Sequence, residues 1–217
     1  MKMASNDKTI GPATKTSPLE TKLISNKGPA DAEITLKENK HIGKMILRGS
    51  LSEKKFITST KNHLSQQFPP SPNSFYDDTK VRVIWLGPDE WLILTDAAEL
   101  DSLKDKLTQA LIKSHSALVD VSDNSTIIEI KGRYSREILM KGCSLDIHPS
   151  VFQTGCSAQI DLALSNIILL KTADEPIYQV IVRASFASYI WDWLVDAAHE
   201  FNVRIENEIS AFSKKIS

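Results

Sequence analysis

The chain has 217 residues, 41% of them hydrophobic and 24% charged, with a formal net charge of −1. That is enough apolar material for one large core or two small ones, and near-neutrality removes the electrostatic case for a nucleic-acid or anionic-membrane partner. No apolar run approaches the roughly 20 residues that a membrane helix needs.

Residues 1–20 are polar, hold Gly11-Pro12 and Pro18, and carry no apolar core after Lys2. They do not read as a signal peptide, and their composition predicts a disordered arm over residues 1–25 of a cytoplasmic protein. A short strand is predicted over 44–49, then a helix over 52–65 with Phe56, Ile57 and Leu64 on compatible positions and Ser52 as its cap. Residues 67–79 hold Pro69, Pro70, Pro72 and Asn73 and predict a loop. Residues 81–95 follow as two β-branched and aromatic runs joined by Gly87-Pro88-Asp89-Glu90, a hairpin with a tryptophan at each inner edge. A helix over 98–114 places Leu100, Leu103, Leu107, Ala110 and Leu111 on one stripe, and a strand over 117–121 ends this half.

This β-α-β-β-α-β order is the ferredoxin-like plan, and the second half begins the same way. A strand over 126–132 leads to a helix over 133–141 with Ile138 and Leu139 inward, and then to a loop through Asp146, His148 and Phe152. Strands over 156–163 and 166–171 form a hairpin, followed by a strand over 177–183 and a helix over 185–201. Strand-glycine-helix openings recur at Gly49 and Gly132, about eighty residues apart. The expected fold is α+β, two ferredoxin-like units packed together with mostly antiparallel sheets. The expected division is an arm over 1–25, a first unit over 26–122, a second unit over 123–203 and a tail over 204–217.

Signatures of chemistry are sparse. No Gly-x-Gly-x-x-Gly, no phosphate loop and no Gly-x-Ser-x-Gly elbow occurs. Asp120 and Ser122 end a strand where a loop could present them, but a turn and cap is the preferred reading. Asp146 and His148 could form an acid–base pair, yet no nucleophile motif accompanies them and a surface loop is preferred. Cys143 and Cys156 flank His148, a conceivable zinc set whose spacing matches no zinc pattern and which lacks a fourth ligand, so free thiols and no metal are expected. His41, His63, His115 and His199 are expected to be solvated, and the charges over 101–106 to form a wet helix face.

Four stretches carry a resemblance to a known family. Trp85-Leu-Gly-Pro-Asp-Glu-Trp-Leu92 resembles a hairpin of the small gamma subunit of heterotetrameric sarcosine oxidase. Val119-Asp-Val-Ser122, with the apolar strand, Gly132 and the helix that follow, looks like a segment of the glycine-cleavage aminomethyltransferase superfamily. Gly142-Cys-Ser-Leu-Asp-Ile-His-Pro149, with Phe152, Gly155-Cys156 and Ala158-Gln159, and Arg183-Ala-Ser-Phe-Ala-Ser-Tyr-Ile-Trp-Asp-Trp-Leu194, resemble further gamma-subunit blocks. The matches run from about Val81 to Phe201. Ile160-Asp161 departs from them, standing where a Thr and a basic residue are expected.

The resemblance implies an aminomethyltransferase-like folate-binding-domain fold and a structural role in a four-subunit flavoenzyme. Such an enzyme demethylates sarcosine to glycine, passes the one-carbon unit to tetrahydrofolate and reduces O2 to peroxide. FAD, FMN, NAD, tetrahydrofolate and zinc are implied on the large (alpha), medium (beta) and small zinc-binding (delta) partners, and none on this chain. The rival readings are a free-standing folate-binding or aminomethyltransferase-like protein, or the equivalent subunit of a dimethylglycine oxidase.

The last helix then becomes informative, because it carries two apolar stripes where a monomer's surface helix needs one. Phe186, Ile190, Trp193, Leu194, Ala197 and Phe201 are assigned to the chain's own core. Ala187, Trp191, Val195 and Ala198 are assigned to a subunit contact, tryptophan being a frequent interface anchor.

Overall fold

Continuous apolar runs, more than alternating ones, set this architecture. The computed structural model describes residues 16–22, 27–64, 68–78 and 80–206. The elements in chain order are β1 (Ile34–Glu38), β2 (Ile42–Arg48), α1 (Lys54–Lys61), β3 (Phe75–Asp77), β4 (Val81–Gly87), β5 (Glu90–Asp96), α2 (Leu100–Leu111) and β6 (Ala117–Asp120). A 3-10 turn, Ser122–Asn124, leads into β7 (Ser125–Lys131), α3 (Ser135–Met140), β8 (Ser157–Leu162), β9 (Ser165–Lys171), β10 (Ile177–Arg183), α4 (Ala184–Ala197) and β11 (Val203–Glu206).

The β-α-β-β-α-β plan is present twice, as β2-α1-β4-β5-α2-β6 and β7-α3-β9-β10-α4-β11. The first sheet runs β3-β4-β5-β2-β6 and the second β11-β1-β7-β10-β9-β8. Every pairing is antiparallel except β1 with β11. The two halves differ in one respect. In the first, the fourth strand β6 lies directly beside β2; in the second, β1 is inserted between β7 and β11. The sheets therefore do not divide the chain at residue 122: β1, expected in the first unit, belongs to the second sheet. Residues 204–206, expected in a tail, lie in β11.

The recurring glycines answer two different needs. Gly132 has φ +128°, and a Cβ there would lie 2.0 Å from the Glu33 carbonyl oxygen, so no side chain fits. At Gly49 the obstacle is the Phe56 ring of α1, 2.2 Å from a Cβ.

Each sheet buries both faces. The outer face of the first sheet presents Met45, Leu47, Val83, Trp91 and Ile93 to Phe56 of α1 and Leu107 of α2. That of the second presents Ile128, Ile130, Leu169, Tyr178 and Val180 to α3 and α4. The inner faces meet through Ile84, Leu92 and Leu94 on one side and Ile127, Leu170 and Ile181 on the other. The order of layers is helices, sheet, sheet, helices. In β10, six of seven residues are buried, which is why its sequence shows no alternation.

A polar chain crosses the seam. Arg82 on β4 donates from Nη1 to Gln179 Oε1 on β10 at 2.5 Å, and from Nη2 to Asp77 at 2.5 Å. Gln179 Nε2 in turn donates to Glu129 on β7 at 2.9 Å. Replacing Gln179 by Leu takes an acceptor from Arg82 and a donor from Glu129. We expect a cost of about 1–3 kcal/mol in chemical denaturation, because buried partners lose their bonds; Gln179→Glu, which keeps an acceptor for Arg82 but sets a carboxylate against Glu129, should not restore the stability.

Candidate functional site

The polar residues singled out in the sequence are placed, one after another, in structural roles. Asp120 ends β6, and its Oδ1 accepts from the Ser122 hydroxyl at 2.7 Å and the Ser122 N–H at 3.1 Å. Ser122 Oγ also accepts the Lys44 N–H of β2 at 3.0 Å. The pair thus caps the strand end and ties the 3-10 turn to β2. Burial pushes the Asp120 carboxyl up, but donation from Ser122 and the charge of Lys104, 3.5 Å away, outweigh it and hold the group below its ordinary value.

In the loop after α3, Asp146 Oδ1 accepts the backbone N–H of His148 at 2.9 Å, and the ring Nδ1 of His148 pairs with Ser150 Oγ at 2.7 Å. This is an Asx turn with an exposed histidine, and the Asp146 carboxylate is engaged by the backbone and not by the ring. Cys143 and Cys156 are free and half-buried. Burial raises the Cys143 thiol against a smaller opposing effect of the Leu145 backbone, and so disfavours the thiolate needed for nucleophilic attack or metal binding. Among the described residues no three His, Cys, Asp or Glu side chains group as metal ligands. The buried Lys171, not singled out in the sequence, donates its ammonium to the carbonyls of Ala173 and Glu175 and lies 5.1 Å from the Tyr178 ring. Its role is to fold the turn between β9 and β10.

The interface assignment on α4 is corrected. Ala187, Trp191 and Ala198, expected to contact another subunit, are 0%, 2% and 0% exposed within this chain's own second core, and Val195 packs against the same core. Ile190 and Leu194 lie on this buried face too. Phe186 is 45% exposed and Trp193 only half-buried, with its ring over Gly142. Of the stripe expected inside, Ile190 and Leu194 are buried, Trp193, Ala197 and Phe201 pack against the same core, and Phe186 alone is exposed. Residues 191 and 193 point about 200° apart, as expected, but Trp191 enters the core and Trp193 packs at its margin, over Gly142.

What the sequence reading missed is the outer surface of the second half. Phe186 and Tyr189 on α4, Met140 on α3 and Leu164 in the turn between β8 and β9 are large, apolar and exposed. The helices of the first half instead show water Lys54, Lys55 and Lys61 on α1 and Asp101, Asp105 and Lys106 on α2. A signal was present in the residue types of α4: exposed positions of an ordinary surface helix are charged.

Two ferredoxin-like halves packed sheet to sheet define an aminomethyltransferase-like fold. The chain superimposes on the glycine cleavage system aminomethyltransferase T of Bartonella henselae with a TM-score of 0.63 at 9% identity, over 89% of this chain and 59% of that one. At that identity the likeness is one of fold. The model of the sarcosine oxidase gamma subunit family matches residues 48–200, and the chain belongs to that family. The match begins upstream of Val81 and takes in α1.

Two relatives named as sarcosine oxidase subunit gamma bear on it. That of Corynebacterium sp. (strain U-96) is 35% identical over 127 residues, 58% of this chain and 60% of the relative. That of Arthrobacter sp. is 36% identical over 120 residues, 55% and 57% of the respective chains. The alignments thus span less than two thirds of these relatives. A chain of the heterotetrameric sarcosine oxidase from Corynebacterium sp. U-96 superimposes with a TM-score of 0.79 at 25% identity, over 90% of this chain and 99% of that one.

Two predictions follow from the geometry of Asp120 and α4. The native state favours ionised Asp120, so its stabilisation is complete above the ordinary value of 3.8 and is lost as pH falls through the lower folded value. Asp120→Asn should therefore flatten the acid limb of stability below about pH 4 while leaving its neutral plateau shape unchanged, read by thermal melts across pH. Trp191→Ala should cost about 3–5 kcal/mol of folding stability in denaturant titration, and Trp193→Ala distinctly less.

Proposed function

We propose that this chain is the small structural subunit of a sarcosine oxidase assembled from several subunits. In this reading the complex oxidatively demethylates sarcosine to glycine, passes the one-carbon unit to tetrahydrofolate and reduces O2 to H2O2. FAD, FMN, NAD, tetrahydrofolate and zinc reside on the large, medium and small zinc-binding partners, and the complex is cytoplasmic. The observation that carries the reading is the family match over residues 48–200 together with a fold likeness that extends beyond it. The engagement of Asp120, Ser122, Asp146 and Lys171 in caps and turns supports a scaffold role for the chain itself. Among the described residues no helix is long and apolar enough to cross a membrane.

The outward stripe of α4 is assigned to contact with a larger subunit of the same complex. It is supported by the contrast with α1 and α2, whose exposed residues are charged or polar, whereas exposed Phe186 and Tyr189 and half-buried Trp193 stand beside Asp192 and Asp196 on α4. Tagged chain co-expressed with its partner subunits should purify as a yellow complex with sarcosine-dependent peroxide production, while the chain alone should be colourless. Absence of that activity from a co-purified complex would overturn the enzymatic reading. The double variant Phe186→Glu/Tyr189→Glu should keep the free chain's melting behaviour yet lose about 2 kcal/mol or more of assembly affinity. Undiminished co-purification would place the contact on another face.

A further inference from the structure

Leu19 reaches the second core from outside the strands and helices. It sits in a turn formed by residues 16–22, ahead of β1, and has no exposed surface. The turn is held locally: Ser17 Oγ accepts the Leu19 N–H at 3.0 Å, the Glu20 N–H donates to the Ser17 carbonyl at 3.1 Å, and the Lys22 N–H to the Leu19 carbonyl at 2.9 Å. This segment was expected to belong to the disordered arm. The rest of that arm, residues 1–15 and 23–25, lies outside the described residues.

Three polar contacts fasten the turn to different parts of the second half. The Ser17 hydroxyl donates to Glu38 Oε2 at the end of β1. Glu38 is itself 2% exposed, and its other oxygen accepts the Thr126 hydroxyl of β7 at 2.5 Å. Lys22 Nζ lies 2.8 Å from both carboxylate oxygens of Asp192, between the inward Trp191 and the outward Trp193 on α4. Glu20 pairs with Lys40, beyond β1, at 3.3 Å. The segment therefore spans from α4 to β1, across the layer that joins helix to sheet.

We propose that residues 16–22 are a strap that closes the second core and opens as a unit while both sheets stay folded. Two of the three polar contacts involve exposed groups, Asp192 at 59% and Glu20 at 58%, and pairs of that kind contribute little; the third is the single hydrogen bond from Ser17 to the buried Glu38 carboxylate. The main holding contact is Leu19, the buried apolar anchor of the turn, aided by the Ser17 hydrogen bond to Glu38. A segment seated by so little apolar contact opens at a lower free energy than a strand such as β10, buried at six of seven positions. Opening uncovers an apolar seat, frees the Glu38 carboxylate from Ser17 and removes the Lys22 tether from α4. The chain thus has a second state in which α4 is held by packing and by the Lys141 ammonium at its C-terminal end, without the Lys22 tether. This inference is independent of the assembly reading, because it concerns the free chain.

Amide hydrogen exchange of the full chain by mass spectrometry tests it. In the native protein the amides of Leu19, Glu20 and Lys22 should exchange faster than those of β10 and β5. Leu19→Ala should speed exchange across residues 16–22 by about tenfold or more, increase binding of an apolar fluorescent dye, and leave β10 and β5 as protected as before. Lys22→Met should change strap exchange only slightly. Three results would each overturn the proposal. These are strap amides as slow as those of β10 in the native chain, loss of β10 protection in step with the strap in Leu19→Ala, and Lys22→Met opening the strap as fully as Leu19→Ala.

Discussion

Everything in this molecule depends on one seam, where the inner faces of two twisted sheets are pressed together. A ferredoxin-like unit alone has a single covered face, the one beneath its helices. Here each unit supplies the cover for the other, so strands at the seam must be apolar on both sides. That requirement is written in β5, where residues 91–95 are all buried, and in β10. Apolar contact is non-directional, and a purely apolar seam would permit the sheets to slide. The Arg82–Gln179–Glu129 chain provides direction, because its donors and acceptors meet in one alignment only.

The seam also explains which parts of the fold were legible in the sequence. Strands inside it are long, mostly apolar runs without alternation, and the predicted strand over 177–183 coincides with β10. The alternation of two helix-strand units was legible for the same reason. β1, β3 and β11 were not. Ile-Thr-Leu-Lys-Glu and Val-Arg-Ile-Glu alternate, but they are short and charged, and β11 lies at an edge where solvent accepts polar side chains. β3 is three residues inside a proline-rich loop, and its pairing with β4 is a tertiary fact that no local pattern announces. The placement of β1 in the second sheet is likewise set by a long-range contest. The inserted strand fills the position beside β7 that β6 takes beside β2 in the first half.

The misassignment of Ala187, Trp191 and Ala198 on α4 has a geometric origin. At about 100° per residue, Ala187, Trp191, Leu194 and Ala198 lie within roughly 60° of one another, while Phe186, Tyr189 and Trp193 centre about a third of a turn away. Ile190 falls between the two groups. Assigning it and Leu194 to Trp193 makes the outer stripe look like the core, and periodicity alone does not arbitrate. Residue size arbitrates better. Small Ala187 and Ala198 let the helix approach the sheet closely, with the bulk of Trp191 between them, and all three are buried. A stripe of small residues flanking one large one marks close packing against a sheet, whereas Phe, Tyr and Trp in succession mark a broad surface.

The hairpin that carries the family resemblance makes a related point about site and fold. Trp85 and Trp91 face each other across β4 and β5, on either side of the two-residue turn at Pro88 and Asp89. Trp91 packs with Phe56 and Phe68, with ring centres 5.9 and 4.6 Å away, and so pins α1 and the following loop to the first sheet. The motif is thus a core-building device, and none of its side chains is poised for chemistry. Asp120 and Ser122 tell the same story at the other end of that unit, a pair that looks like a presented site and serves as a cap. For a chain of this kind the sequence reveals function only through kinship. The residues that would reveal it through physics are those with no structural work to do, and these are the apolar groups that α3 and α4 leave uncovered.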